Sequence, residues 1–213
     1  MLISIALLVG LAMMQSAQVP QPILFIAREP LLPGGEKEYR KIEEETARLS
    51  VKLGCPHPYL AMESLTGPKE IWWFNGFDSP EDQKQVADAY EKNTPFADAL
   101  KRGVDRKAKV TGKVSEILTH YRADLTSGDL WILGHARFLV ISVSKDKPSG
   151  AGTVFQADDG TLFVFSPACT RKQADRVAAS IPGSTIVTIR PSYSFPAKDW
   201  IAADPQFWRA NVR

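Results

Sequence analysis

Cysteine and histidine are scarce in this sequence, which limits the kinds of site that it can contain. Only 2 cysteines and 3 histidines occur among its 213 residues. The histidines His57, His120 and His135 lack the H-x-H and H-E-x-x-H spacings that bind metal ions, so we predict no metal site. Cys55 and Cys169 form a disulfide only if the fold brings them together, and the sequence leaves that pairing open.

An excess of charge of one sign is also missing. The chain has 26 basic and 24 acidic residues, a formal net charge of +2, and no block of lysine and arginine. Nucleic-acid binding needs a basic patch, so we expect no nucleic-acid partner. A G-x-S-x-G motif is absent too, which removes support for a serine hydrolase of that type. The hydrophobic fraction of 44% is enough for a well-packed core.

The N-terminal apolar run is too short to span a membrane. In "MLISIALLVGLAMMQSA" the residues from Leu2 to Met14 are apolar apart from Ser4, whereas a spanning helix needs roughly 20 residues. The small and polar residues that follow are typical of a signal peptide cleaved after Ala17. We therefore expect residues 1–17 to be removed and the mature chain to be secreted or periplasmic, free of the membrane. A membrane anchor is the alternative interpretation.

Hydrophobic periodicity predicts two successive groups of strands and helices. In the first group we predict strands at Ile23 to Arg28, Tyr59 to Leu65 and Glu70 to Phe77, a helix at Glu36 to Leu53, and helical pieces from Ser79 through Leu118 to Tyr121. In the second group we predict strands at Arg137 to Ser144 and Thr185 to Arg190, a hairpin that turns at Asp158 to Gly160, and a helix at Thr170 to Ile181.

The first predicted helix is amphipathic. Its apolar face carries Tyr39, Ile42, Leu49 and Leu53. We place Glu43, Glu44, Glu45 and Arg48 on the opposite, solvent-facing side. At the other end of the chain, the aromatic side chains of Trp200, Phe207 and Trp208 are expected to pack onto the body of the protein, because exposing them to water is costly.

This order of elements, together with the strings "REPLLPGGEKEYRKIEEE", "GPKEIWWFNGFDSPED" and "YRADLT", resembles the dimeric α/β-barrel superfamily, which includes antibiotic-biosynthesis-monooxygenase-like and NIPSNAP-like proteins. The resemblance implies an α+β fold of two ferredoxin-like modules, each an antiparallel sheet covered by helices. The first module would span residues 18–126. The second would span residues 127–213, shortened because "KDKPSGAG" stands where its first helix belongs, and would end in the aromatic tail.

The resemblance also implies a homodimer and an aromatic-lined site for a small organic molecule between sheet and helices. Some members of the superfamily bind haem through one histidine, and His120 is the residue we would test for that role. A histidine that interacts with a helix dipole is the alternative, and we predict no cofactor.

Candidate site residues come from the strand that holds two adjacent tryptophans. Neighbouring strand residues point to opposite faces, so Trp73 shares a face with Asn75 and Phe77, while Trp72 lies on the other. We predict that Trp73, Asn75 and Phe77, with Arg28 at the end of the first strand, bind a ligand. A core amide bonded to the backbone is the alternative role of Asn75.

Glu63, on the preceding strand, is a candidate catalytic base. If it points inward, burial would raise its pKa and suit it to accept a proton. A solvent-facing glutamate is the alternative.

Two functions follow from these observations. The first is an exported, non-catalytic module that binds a small apolar or aromatic molecule or a partner protein. The second is a cofactor-independent oxygenase- or isomerase-like enzyme, in which Glu63 or a histidine handles the proton. A buried ionisable residue opposite Trp73 would favour the enzyme, and an entirely apolar lining would favour binding alone.

Overall fold

The strands of this protein close into one barrel. The computed structural model describes residues 19–148 and 150–209, and its strands follow the order β1-β3-β2-β8-β5-β7-β6-β4, with β4 pairing back onto β1. Every neighbouring pair is antiparallel. The predicted signal peptide, residues 1–17, lies outside the described residues, and the predicted localisation therefore stays a prediction.

Each half of the chain supplies four strands. The first half contains β1 (Ile23–Pro30), α1 (Glu36–Leu53), β2 (Leu60–Ser64), β3 (Glu70–Phe77), α2 (Pro80–Lys92), α3 (Thr94–Lys107) and β4 (Ser115–Tyr121). The second half contains β5 (Phe138–Ser144), β6 (Thr153–Ala157), β7 (Leu162–Ala168), α4 (Arg171–Ala179), β8 (Thr185–Ile189), α5 (Lys198–Ala203) and α6 (Pro205–Trp208).

The predicted fold of two ferredoxin-like modules, with antiparallel sheets covered by helices, is wrong, because the strands form one closed barrel of eight. Strand β2 pairs with β8, for example through Met62 and Ile189, and β4 pairs with β6 through His120 and Gln156. These pairings join the two halves of the chain, so that residues on both sides of position 126 build a single barrel. The physical reason is that separate sheets would leave the edges of β2 and β4 unpaired, whereas closure satisfies both.

The predicted helical continuation to Leu118 and Tyr121 is also wrong, because Ser115–Tyr121 forms strand β4. Ile117 and Tyr121 pack against the barrel core, and between them the Thr119 hydroxyl donates a hydrogen bond of 2.7 Å to the Leu24 carbonyl. This inward spacing has a period of two, which is typical of a strand.

The helices begin and end where the sequence provides the appropriate groups. Helix α1 ends at Gly54, whose φ of 68° is in the left-handed region that glycine favours. The Ser79 side chain accepts a hydrogen bond from the Asp82 backbone N–H at the start of α2. Asn93 accepts one from the Phe96 backbone N–H, which separates α2 from α3.

Alternate residues of the strands fill the barrel interior. Trp72 and Phe74 of β3 point inward. Trp131, from the segment between β4 and β5, and Trp200 and Trp208, from helices α5 and α6, belong to the same cluster. The predicted packing of the tail aromatics is therefore confirmed. Four of the five tryptophans belong to this buried cluster, so the aromatic surplus on which the dimer prediction partly rested is used within the chain. The homodimer itself stays a prediction.

Two further findings concern the cysteines and the helices. Cys55 is buried and Cys169 is exposed, and both are free thiols. Within residues 19–148 and 150–209, no helix has both the length and the apolar character needed to cross a membrane.

Replacing Trp72 by Ala is expected to lower the free energy of unfolding by about 3–5 kcal/mol, because it leaves a cavity in the barrel. It also removes the indole N–H that donates to Glu70 Oε1 at 2.8 Å. Trp73→Ala, on the outer face of the same strand, is expected to cost less because Trp73 already borders a cavity. Urea unfolding of both variants measures the difference, and a larger loss for Trp73→Ala would contradict it.

Candidate functional site

A cavity of about 200 Å³ lies outside the barrel, between strands β1 and β3 and the three helices of the first half. It is lined by Phe25, Ala27, Glu29, Glu43, Thr46, Tyr59, Trp73, Asn75, Tyr90, Phe96, Leu100 and Lys107. Several of these side chains, among them Phe25, Asn75, Tyr90 and Leu100, are only part-buried, so the cavity opens to solvent. An apolar cavity of about 150 Å³ is large enough to bind benzene, so this one admits a small organic molecule.

The strand residues that line the cavity share one face, because successive side chains of a strand point to opposite faces. Phe25, Ala27 and Glu29 lie on the outer face of β1, opposite Asn75, Trp73 and Ile71 of β3 in the antiparallel register. Because the small Ala27 pairs with the large Trp73, the indole ring has room to border the cavity.

The helix side follows from helical spacing. Phe96, Leu100, Gly103 and Lys107 are separated by four, three and four residues, which places them on one face of α3. Gly103 lets α3 approach α1 closely, since a Cβ at this position would lie 3.3 Å from Thr46 Oγ1. Glu43 and Thr46 reach the cavity from α1.

One end of the cavity is aromatic. The rings of Tyr59 and Trp73 meet edge to face with centroids 5.8 Å apart, and those of Tyr90 and Phe96 lie 5.7 Å apart. The Tyr59 hydroxyl forms a 2.9 Å hydrogen bond with Ser50 Oγ, which satisfies its polar atom within the protein.

The other end holds three buried charged side chains. Lys107 Nζ lies 2.8 Å from Glu29 Oε1 and 2.9 Å from Glu43 Oε1. The exposed fractions of these side chains are 14% for Lys107, 11% for Glu29 and 2% for Glu43. The Tyr39 hydroxyl donates a hydrogen bond to Glu29 Oε2. We call Glu29, Glu43 and Lys107 the charged cluster.

Burial changes the protonation of the charged cluster. It raises the pKa of Glu43 to about 7, although the nearby Lys107 ammonium opposes the shift. Burial alone would lower the pKa of Lys107, but the charges of Glu43 and Glu29 outweigh it, so that the pKa of Lys107 is raised and the ammonium is retained. Burial and the same two carboxylates raise the pKa of Tyr39, which therefore remains a hydrogen-bond donor.

Two buried polar atoms at the cavity have few partners among the described residues. Glu43 Oε1 contacts the Lys107 ammonium at 2.9 Å, and Lys107 also serves Glu29. Trp73 Nε1 is also buried. Its contact with the Tyr39 hydroxyl is weak and lowers the pKa of that tyrosine only slightly. Both atoms belong to residues that line the cavity.

The structure brings together two of the four predicted ligand-binding residues. Trp73 and Asn75 line the cavity, and Asn75 Nδ2 makes a long contact of 3.5 Å with the Pro58 carbonyl. Phe77 lies on the same strand face but stacks on His57, with ring centroids 5.0 Å apart. Arg28 lies on the opposite side of β1, where its guanidinium contacts Glu70 at 2.8 Å and covers the Trp72 ring.

The predicted proton-handling residues lie away from the cavity. Glu63 forms an ion pair with Arg190. His120 lies on strand β4 and not at a helix end, with a half-exposed side chain 3.8 Å from Asp158. Among residues 19–148 and 150–209, no group of three histidine, cysteine, aspartate or glutamate side chains is arranged to hold a metal ion.

The placement of Glu43 on a solvent-facing side of the first helix is wrong, and with it the sequence interpretation missed the charged cluster. Tyr39, Glu43, Thr46 and Ser50 are separated by four, three and four residues and share the inward face of α1. That spacing is the signal that would have found Glu43. Lys107 has the same signal on α3, where it continues the stripe of Phe96 and Leu100.

The raised pKa of Glu43 predicts a pH dependence of stability. The unfolded carboxyl ionises near the ordinary value of 4.5 and the folded one near 7, so between these values the folded state binds more protons. The contribution of Glu43 to stability is therefore greatest below pH 4.5 and is lost as the pH rises to about 7. Relative to Glu43→Gln, the wild type should lose on the order of 1–3 kcal/mol across this window.

Urea unfolding at a series of pH values measures this change. Glu44→Gln is the matched control, because Glu44 lies on the outer surface of the same helix beside Lys41 and Arg48. A wild type and a Glu43→Gln variant that differ by a constant amount at every pH would contradict the prediction.

Comparisons with known proteins give little further information. No family model and no curated protein matches this chain. A solved structure from Fusobacterium nucleatum subsp. nucleatum ATCC 25586, called "putative monooxygenase", has a TM-score of 0.49 and 10% identity over 84% of this chain and 94% of its own. One of the same description from Lactobacillus acidophilus NCFM has a TM-score of 0.44 and 9% identity over 80% of this chain and 94% of its own. Because both TM-scores are below 0.5, neither likeness bears on function, and the superfamily resemblance stays a prediction.

Proposed function

We propose that the cavity between the barrel and helices α1 to α3 binds a small, largely aromatic molecule. The observation that carries this proposal is the lining itself, which combines five aromatic side chains with a few polar groups. Ligand sites in proteins have this composition, since apolar walls provide affinity and a small number of polar atoms fix orientation. Among the described residues, the partners of the donors Trp73 Nε1 and Asn75 Nδ2 are weak, so these donors suit that orienting role.

A neutral bicyclic phenol tests the proposal. We expect 1-naphthol to bind with a dissociation constant on the order of 10–100 μM, as for a small ligand that fills an apolar cavity. Leu100→Trp places a larger side chain in the lining and should weaken binding at least tenfold. Isothermal titration calorimetry measures both affinities.

Val104→Trp is the matched control, because Val104 is on the same helix with 57% of its surface exposed. It should leave the affinity unchanged. If wild type fails to bind 1-naphthol at millimolar concentration, or if Leu100→Trp binds it equally well, the cavity does not act as this site.

Proton transfer is the second candidate function, and the charged cluster favours it. Glu43 and Lys107 line the same cavity as Trp73, so the lining contains the buried ionisable groups that distinguish an enzyme from a simple binding module. A carboxylate accepts a proton from a carbon next to a carbonyl group, and an ammonium group stabilises the oxyanion that results. Glu43 becomes neutral when it takes the proton, so Lys107 is then paired with the charge of Glu29 alone and its ammonium is available to the oxyanion.

This arrangement supports the isomerase-like form of the enzyme hypothesis, with Glu43 in the role first given to Glu63. No observation on the described residues specifically supports the oxygenase-like form. The base must be ionised to accept a proton, so activity should rise as the pH passes through about 7, where Glu43 ionises.

Deuterium exchange into 2-tetralone tests proton transfer directly. The ketone is neutral and bicyclic, and mass spectrometry follows deuterium uptake from D₂O at the carbon between ring and carbonyl. Wild type should accelerate exchange over the background, and Glu43→Gln should reduce the acceleration about 100-fold or more. Glu44→Gln should match wild type, and full activity of Glu43→Gln would remove Glu43 from the mechanism.

A further inference from the structure

We propose that the ligand of this cavity is a small organic cation, an aryl or alkyl ammonium compound. The inference rests on the proposed binding function and specifies the chemical class of the ligand. It is carried by the balance of charge in the lining and by the aromatic rings that surround it.

Negative charge is in excess at the cavity. Among the described residues that line it, the charged side chains are Glu29, Glu43 and Lys107, two carboxylates against one ammonium. Both carboxylates lie within 2.9 Å of the same Lys107 Nζ, so one cation compensates both. When both are ionised, the charged cluster has a net charge of −1 in a buried setting, where an added cation is attracted more strongly than in water.

An anionic ligand lacks a free positive partner at this site. Lys107 already contacts two carboxylates, and Arg106, the neighbouring basic residue on α3, pairs with Glu45 and Glu38 on the outer surface. An anion would therefore approach two carboxylates whose one counter-charge is already engaged. The lining disfavours carboxylate, sulfonate and phosphate ligands.

The aromatic part of the lining suits a cation as well. Phe25, Tyr59, Trp73, Tyr90 and Phe96 present π-electron surfaces, which attract ammonium groups within about 6 Å of a ring centroid. The protein already uses this contact, because Lys107 Nζ lies 5.2 Å from the Trp73 ring centroid and 5.8 Å from that of Tyr39. A ligand ammonium would make the same kind of contact on the open side of Trp73.

Glu43 is the carboxylate that responds to such a ligand. Its side chain is 2% exposed and lines the cavity, and its Oε1 lies 2.9 Å from Lys107 Nζ, a cation that it shares with Glu29. The groups that face it are Glu29 from β1, Lys107 from α3 and Tyr59 from the segment before β2. Tyr39, from α1 itself, also responds to its charge. A bound cation adds a second positive charge to this set and favours the ionised form of Glu43.

Two isosteric probes separate charge from shape. Phenyltrimethylammonium is a cation, and tert-butylbenzene is its neutral isostere. At pH 8, calorimetry with wild type should give at least tenfold tighter binding of the cation than of the neutral compound, with no binding of benzenesulfonate. At pH 5.5, where Glu43 holds a proton, the preference for the cation should fall severalfold.

Charge variants then assign the effect. Glu43→Gln should lower the affinity for the cation to about that for tert-butylbenzene and should remove the pH dependence of binding. Glu44→Gln should behave as wild type. Glu29→Gln is a second variant in case Glu43→Gln does not fold. It should weaken binding of the cation and leave binding of tert-butylbenzene unchanged. Circular dichroism checks the fold of each variant.

The outcomes distinguish this inference from the function on which it rests. If tert-butylbenzene binds as tightly as the cation, or if benzenesulfonate binds best, the charge inference is wrong and the aromatic cavity remains. If none of the three probes binds and 1-naphthol does not bind either, the proposed binding function is wrong as well.

Discussion

Closure of the barrel depends on two strand pairings that join the halves of the chain, β2 with β8 and β4 with β6. They remove the open edges and give every strand one inward and one outward face. On β3 this divides the adjacent tryptophans: Trp72 becomes part of the interior, and Trp73 faces outward beneath the helices. The candidate site therefore uses the outer surface, because the interior is occupied by packed aromatic and aliphatic side chains.

The charged cluster connects α1 and α3 to the barrel. Lys107 links α3 to Glu29 on β1 and to Glu43 on α1 at the same place where apolar packing leaves a cavity. A buried ion pair gives little net stability, since desolvation offsets much of the attraction. Burial is the main cause of the raised pKa of Glu43, and repulsion from the second carboxylate, Glu29, adds to it. An arrangement that lowers stability is a feature of functional sites, and here it coincides with the cavity.

Local structure was predictable from the sequence, whereas closure was not. Strand β3 occupies Glu70–Phe77 and helix α1 occupies Glu36–Leu53, both as periodicity predicted. The pairing of β2 with β8 joins residues more than a hundred positions apart, and hydrophobic alternation is the same whatever strand lies alongside. In the site, the alternation of strand side chains was enough to predict that Trp73 and Asn75 share one face and line one cavity. Glu43 was not recognised because a charged residue was assigned to the solvent-facing side of the helix. Its spacing from Tyr39 and Ser50 places it on the inward face.

Lys107 sets the pKa of Glu43, on which the proposed proton transfer and the inferred preference for a cation depend. Its ammonium lowers the pKa of Glu43 against the effect of burial, so the carboxyl ionises near neutral pH. A stronger interaction with Lys107 would make Glu43 a weaker base and would cancel the negative charge that attracts a cationic ligand. A weaker interaction would leave Glu43 protonated at neutral pH. Lys107 is shared with Glu29, so neither carboxylate gains the full attraction of the ammonium. The pKa of Glu43 therefore lies between these two extremes. A proton and the proposed ligand cation would therefore compete for one carboxylate, and this competition would couple binding to proton release.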